Sequence, residues 1–244
     1  NLDGTESPVA GNAIRCVAKY IFDKNLNGIA DTYGLSFHTA DITIETNEGI
    51  QQLTVYKSAG TVTSVSVNMG MPIFDAKEIP TKLTMNPLPA AVADNDSNNI
   101  LPAQAVIGVP LTINGTDYAA TSLSIGNPHC VVFCGFLDKL DLPVIGPLFE
   151  LNKLFPERVN TEFVRVIDRT TIKMRVWERS NGETPACGTG ACAAVVASVL
   201  NGDCPMNEDI TVVVAGGKLI VRYTDNGIIL TGPVTQVFEG TIEV

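Results

Sequence analysis

Positive charge is what this sequence has least of. Lysine and arginine number 16 against 26 aspartates and glutamates, the formal charge is −10, and no run of Lys and Arg occurs anywhere. Such a chain repels phosphate backbones and anionic lipid, which argues against nucleic-acid and membrane-surface partners. Long apolar runs are missing as well: the longest, Ala191 to Leu200, falls short of the roughly 20 residues that a bilayer-spanning helix needs. Only two histidines are present, His38 and His129, and no pair of cysteines has C-x-x-C spacing, so no metal site is expected. The six cysteines do not read as a disulfide framework, since 244 residues suffice for a real core and such frameworks serve small secreted chains. No signal peptide is visible. The sequence begins with Asn1 and not Met, and the expectation is that a preceding stretch has been removed. With 45% apolar and 17% charged residues the composition is ordinary for a globular chain.

What the sequence does contain is a copy of part of itself. The octet Glu6-Ser7-Pro8-Val9-Ala10-Gly11-Asn12-Ala13 aligns without a gap on Glu183-Thr184-Pro185-Ala186-Cys187-Gly188-Thr189-Gly190. Asp3-Gly4 and Asn181-Gly182 supply a turn before each copy. After the first octet, Ile14, Val17, Ala18, Ile21 and Phe22 recur at helical spacing, with a stop near Asn25 to Gly28. After the second, Ala191 to Leu200 is apolar all round and ends at Asn201-Gly202. A helix apolar on every side is buried on every side. Short alternating runs predict strands at Asp41 to Thr46, Gln51 to Tyr56, Val62 to Val67 and Ile210 to Val214, and a hairpin from Lys218–Thr224 to Ile228–Thr231 through Asp225-Asn226-Gly227. The segment from Asp75 to Asp117, with Pro80, Pro87, Pro89 and Pro102, reads as loop. The fold class expected is α+β: two pseudo-symmetric halves, each a barrel-like curved sheet around a buried helix. The first half would be residues 1–68 completed by 233–244, the second 69–232, with both helix N-termini facing a shared cleft.

A glycine turn that opens a helix presents unpaired N–H groups and the positive end of the helix dipole, a ready anion site. Two of them suit a carboxylate held from both sides. Cys187 stands at the start of the second helix, where a thiol's pKa is expected to fall. Beside a bound amino-acid carboxylate, its thiolate is placed to take an α-proton. The repeat aligns Ala10 with Cys187, and alanine has no proton to give. Cys16, Cys192 and Cys204 read as inert core thiols, and Cys130 and Cys134 as packing in a strand.

The sequence resembles the diaminopimelate epimerase family along nearly its whole length. The resemblance rests on Asn1 to Glu6, Gly11 to Cys16, Gly126-Asn127-Pro128-His129-Cys130-Val131, and Glu178-Arg179 followed by Gly182 to Cys192. It implies a cofactor-free, metal-free enzyme that interconverts LL- and meso-diaminopimelate with one cysteine from each half. Carried across, Cys187 is one catalytic thiol and Ala10 takes the place of the other. Gly11, Asn12, Gly188 and Thr189 match the groups that hold the reacting carboxylate. Asn1, Asn127, Asn160 and Arg179 match those that bind the distal end, and His129 and Glu178 those that assist proton movement near the thiols. A homodimer and a cytoplasmic location are expected with it. Two departures stand out. Ala10 implies very slow inversion, and the family has N-terminal strands before the equivalent of Asn1, so the chain reads as a fragment or processed form. Rival readings are a racemase of another amino acid such as histidine or proline, a thiol hydrolase using Cys187 and His129, and a non-catalytic binding homologue.

Overall fold

The computed structural model describes residues 11–29, 38–47, 49–84 and 105–241. Asn1 and Ala10, and with them most of the first octet, lie outside the described residues. The protein is α+β: among the described residues, a 12-stranded sheet with three helices and two single 3-10 turns.

The strands are β1 (Thr39–Thr46), β2 (Gly49–Ser58), β3 (Thr61–Asn68), β4 (Val106–Ile113), β5 (Thr116–Ser124), β6 (Pro128–Phe133), β7 (Asn160–Asp168), β8 (Thr171–Glu178), β9 (Gly182–Thr184), β10 (Ile210–Val214), β11 (Gly217–Thr224) and β12 (Gly227–Pro233). Their order across the sheet is β1-β2-β3-β12-β11-β10-β8-β7-β6-β5-β4, with β9 branching from β8. Pairing is antiparallel except for β6 with β7 and β8 with β10. The hairpin expected near Asp225 forms with Thr224 opposite Gly227, so that Asp225 and Asn226 make the turn and Gly227 takes φ +125°.

Both helices expected after the octets are present. Helix α1 (Gly11–Asp23) ends before Asn25, which adopts φ 49°. Its buried residues are Gly11, Arg15, Ala18 and Phe22. Val17, expected on the buried face, is exposed, and Ile14 is only half-buried. Among the described residues α1 packs mainly on β3 and β2, with Ala18 and Phe22 in one cluster with Leu53, Val55, Val65 and Val67. Helix α3 (Gly188–Leu200) has Val199 as its one residue that is not buried, and its core takes side chains from β5 to β8 and β10 to β12.

Two stretches differ from the sequence reading. Part of the proline-containing segment is strand β4, with Gly108 at φ +60° and a register shift between Val106 and Val109. Pro110 is found there because β4 is the last strand of the sheet among the described residues, and proline within sheets is confined to edge strands. The other is helix α2 (Leu142–Glu150), which contains Pro143 in its first turn and Pro147 inside it. Packing overrides propensity here: Leu142 and Phe149 are fully buried, and Phe149 meets Tyr118 and Phe163 edge-to-face at 5.2 and 5.3 Å.

Helix α2 also fixes the end of β8. A methyl group on Gly146 would lie 2.2 Å from Trp177 Cδ2, so only glycine admits the indole. Trp177 Nε1 donates to Glu150 Oε2 at 2.7 Å, while Glu150 Oε1 accepts from Ser180 N at 2.9 Å and Arg158 Nη1 at 3.3 Å. Every oxygen of this buried carboxylate is satisfied, and the turn after Glu178 and Arg179 is pinned.

Candidate active site

The N-termini of α1 and α3 converge. A methyl on Gly188 would sit 3.1 Å from Leu230 Cδ2, 3.6 Å from Asn12 Oδ1 and 4.0 Å from Gly11 Cα. One on Gly11 would sit 3.2 Å from the same Leu230 atom. Glycine at both positions lets the two backbones approach over a single leucine. Arg15, 5% exposed, donates to Asn12 Oδ1 at 3.0 Å and to Gly11 O at 3.2 Å, tying down the first turn of α1. The two helix starts thus lie side by side, and helix N-termini, with their first-turn N–H groups and dipole, suit an anion.

Cys187 is the N-cap of α3, in extended conformation with φ −121° and ψ 120°. Its sulfur accepts from Gly190 N at 3.4 Å and lies 3.4 Å from Thr189 Oγ1. These contacts favour the thiolate, as expected of a helix N-terminus. They are outweighed. Burial, then the neighbouring charges of Glu178 and Glu162, push the Cys187 thiol up to about 12. The expectation of a depressed pKa is therefore corrected: at rest this sulfur is a protonated acid, and its ionisation needs a change in its surroundings.

The carboxylates come from the sheet face beneath α3. Glu178, at the end of β8, accepts a hydrogen bond from Thr184 Oγ1. His129 on β6 is fully buried, with Nδ1 2.7 Å from Glu162 Oε1 and Nε2 2.8 Å from Asn127 Oδ1. Asn160, opposite His129 in the parallel register, donates from Nδ2 to Pro128 O at 3.3 Å and accepts from Arg179 N at 2.9 Å. It clasps three strands' ends together. Arg179 is half-buried and donates from Nη1 to Glu157 O at 3.3 Å.

The structure thus brings together Gly11, Asn12, Gly188, Thr189 and Cys187 at the helix starts, and Asn127, His129, Asn160, Glu178 and Arg179 on the sheet beside them. Glu162 belongs with them and was missed from the sequence. Its sequence signal was faint: a glutamate in alternation with Val164 and Val166, on what the fold shows to be the covered face of a strand. Of the other thiols, Cys130, Cys192 and Cys204 are buried and Cys134 half-buried, but Cys16 is exposed on α1, contrary to its reading as core. All six are free of disulfides. Among the described residues no group of three His, Cys, Asp or Glu could hold a metal ion, and no helix is long and apolar enough to cross a membrane. A cavity of about 710 Å³ opens elsewhere, over β1 to β3 between Ile42, Leu53, Val67 and Ile229. It holds none of the polar groups above, and the helix-start junction is the better candidate because the thiol and the carboxylates are there.

This architecture recurs in solved structures. A predicted epimerase from Pseudomonas aeruginosa matches with TM-score 0.59 at 16% identity, covering 93% of this chain and 72% of that one. A Bacillus anthracis phenazine biosynthesis protein of the PhzF family matches with TM-score 0.60 at 15% identity, covering 95% and 76%. At such identities the likeness concerns fold alone: an α+β class in which a curved sheet carries a buried helix. Sequence comparison is more specific. The diaminopimelate epimerase family model matches residues 121–237. The diaminopimelate epimerase of Acetivibrio thermocellus is 41% identical over 246 aligned positions, spanning 100% of this chain and 77% of the relative. That of Methanococcus maripaludis is also 41% identical, over 100% and 78%, and that of Bacillus pumilus 38%, over 99% and 76%. The chain belongs to the diaminopimelate epimerase family, a family of isomerases.

Proposed function

We propose that the chain binds diaminopimelate with its α-carboxylate between the starts of α1 and α3, and that Cys187 serves one face of the α-carbon. The observation that carries this reading is the junction itself, where Gly11 and Gly188 meet over Leu230 with Cys187 capping α3. Backbone N–H groups from both helices would hold the carboxylate, each charge-assisted bond contributing about 1.5–3 kcal/mol. The same donors stabilise the negative charge that grows as the α-proton leaves. Gly188 and Thr189 would provide them on one side and Gly11 and Asn12 on the other, while Asn1, Asn127, Asn160 and Arg179 receive the distal amino-acid group. Cys187, protonated at rest, is the acid of its face. Glu178 is the carboxylate whose charge bears most strongly on it, and the group to take its proton when it acts as base. His129 assists from behind, through its hydrogen bonds to Asn127 and Glu162 and not by taking a proton from the substrate itself.

On this reading the opposite face is served by position 10. Alanine there leaves deprotonation from the Cys187 side without a partner acid, so inversion is crippled while exchange on one face persists. The division into 1–68 with 233–244 and 69–232 belongs to the same reading, with the sheet continuous across it through the pairing of β3 with β12. A homodimer and a cytoplasmic location belong to it as well. The test is incubation with LL- and meso-diaminopimelate in D2O, followed by mass spectrometry and chiral analysis. Deuterium entering one stereoisomer without inversion is the expected result. Inversion at a rate matching that of an intact relative refutes the role given to Ala10, and absence of both binding and exchange refutes the substrate.

A further inference from the structure

Glu162 is a wholly buried carboxylate, 0% exposed, in the middle of the sheet face beneath α3. Alternation along β7 places it on the same face as Asn160, which stands opposite His129. Its Oε1 meets His129 Nδ1, and Asn127 Oδ1 meets Nε2, so both ring nitrogens face acceptor oxygens. Asn127 Oδ1 only accepts, so Nε2 carries a hydrogen. At Nδ1 a single proton serves both partners, on the ring or on the carboxyl. Either way, no nitrogen of this imidazole is open to take a proton from a substrate.

The other oxygen, Oε2, is buried with no hydrogen-bond partner. Leaving an acceptor buried and unmet is costly, about 1–3 kcal/mol. Glu150, the buried carboxylate that serves the fold, shows the contrast, since both of its oxygens are satisfied. Glu162 also lies against the thiol's own turn. A methyl on Gly190 would come 2.7 Å from Glu162 Oε1 and 3.3 Å from Cys187 Sγ, so the carboxylate and sulfur flank one glycine.

We propose that Glu162 is a positioning residue of the active site: by gripping Nδ1 it holds His129 as a donor on Asn127 and keeps a shared proton beside the glycine turn that carries Cys187. The role rests on the cleft assigned under Proposed function. The charged and titratable groups around it are His129 and Cys130 on β6, Glu178 on β8, and Cys187 and Cys192 on α3, with Arg15 of α1 facing Cys192.

The test uses the whole chain. His38 and His129 are the only histidines, so one His38→Asn variant assigns the imidazole signals. A far-downfield, slowly exchanging Nδ1–H resonance is expected for His129, moving upfield in Glu162→Gln and largely restored in Glu162→Asp. In parallel, alkylation of Cys187 by iodoacetamide is followed against pH by peptide mass spectrometry. Loss of the carboxylate that flanks Gly190 with Cys187 Sγ removes the shared proton from beside the thiol, so the pH midpoint of alkylation shifts in Glu162→Gln and is largely restored in Glu162→Asp. For each pH unit by which the midpoint shifts, the rate at a fixed pH below it changes roughly tenfold. A carboxylate with only a structural role would, when lost, speed alkylation equally at every pH. That result, or an unchanged His129 resonance, overturns the proposal. If Glu162→Gln does not fold, absence of the downfield signal in the unaltered protein does the same. Neither readout depends on turnover, so failure of α-proton exchange in the native chain would strike the substrate assignment and leave these signals standing.

Discussion

The substitution Gly188→Ala separates binding from folding. Its methyl would enter the junction of the two helix starts, 3.1 Å from Leu230 Cδ2 and 3.6 Å from Asn12 Oδ1. Leu230 is fully buried and cannot swing away freely. Overpacking of this kind costs about 1–3 kcal/mol, while alanine in place of glycine in a helix returns about 1 kcal/mol. The net loss of stability is therefore about 0–2 kcal/mol, or a few degrees in Tm for a chain of this size. Binding should suffer more visibly, because the methyl occupies the place given to the carboxylate. Loss of one charge-assisted hydrogen bond, about 1.5–3 kcal/mol, weakens affinity by roughly tenfold to a hundredfold. Titration calorimetry with diaminopimelate, paired with thermal unfolding, reads both quantities. A variant that stays folded and binds as tightly as the parent would refute the placement of the carboxylate between the helices.

Two further outcomes follow from the framework around the site. Gly146→Ala drives a methyl to 2.2 Å from Trp177 Cδ2, and the indole is held by Glu150, so a loss of about 3 kcal/mol or more is expected in urea unfolding, larger than for Gly188→Ala. Asp23 accepts from Lys19, Thr61 and the Val62 N–H, and these bonds hold its carboxyl below the ordinary carboxylate value although burial acts the other way. Because the folded value is depressed, its stabilisation is present above about pH 4, the unfolded value, and disappears as pH falls through the folded one. Asp23→Asn should be less stable than the parent at neutral pH, with the difference closing in acid; a difference that persists undiminished at about pH 2 contradicts this.

How far the sequence leads differs from element to element. The start of α3 was readable because a duplicated glycine turn followed by an all-apolar run has few other solutions, and the hairpin through Asp225 and Asn226 because turn chemistry is local. The diaminopimelate epimerase resemblance named Cys187, His129 and Glu178 before any contact was seen. What the sequence hid is what distant strands deliver. The acidity of Cys187 depends first on its burial and then on Glu178 and Glu162, which arrive from β8 and β7; together they outweigh the helix terminus. The tolerance of Pro110 depends on β4 being an edge, and the helicity of Leu142–Glu150 on aromatic packing that overrides two prolines. The face of α1 was misjudged in the same way, since one sheet covers it and periodicity alone does not say which residues that sheet reaches.

The most direct test of the account is to supply the thiol it says is wanting. Ala10→Cys, assayed for interconversion of LL- and meso-diaminopimelate in D2O, should invert substrate with deuterium at the α-carbon, and adding Cys187→Ala should abolish that inversion. An Ala10→Cys protein that binds diaminopimelate yet inverts no faster than the parent would contradict the claim that positions 10 and 187 serve opposite faces of one carbon.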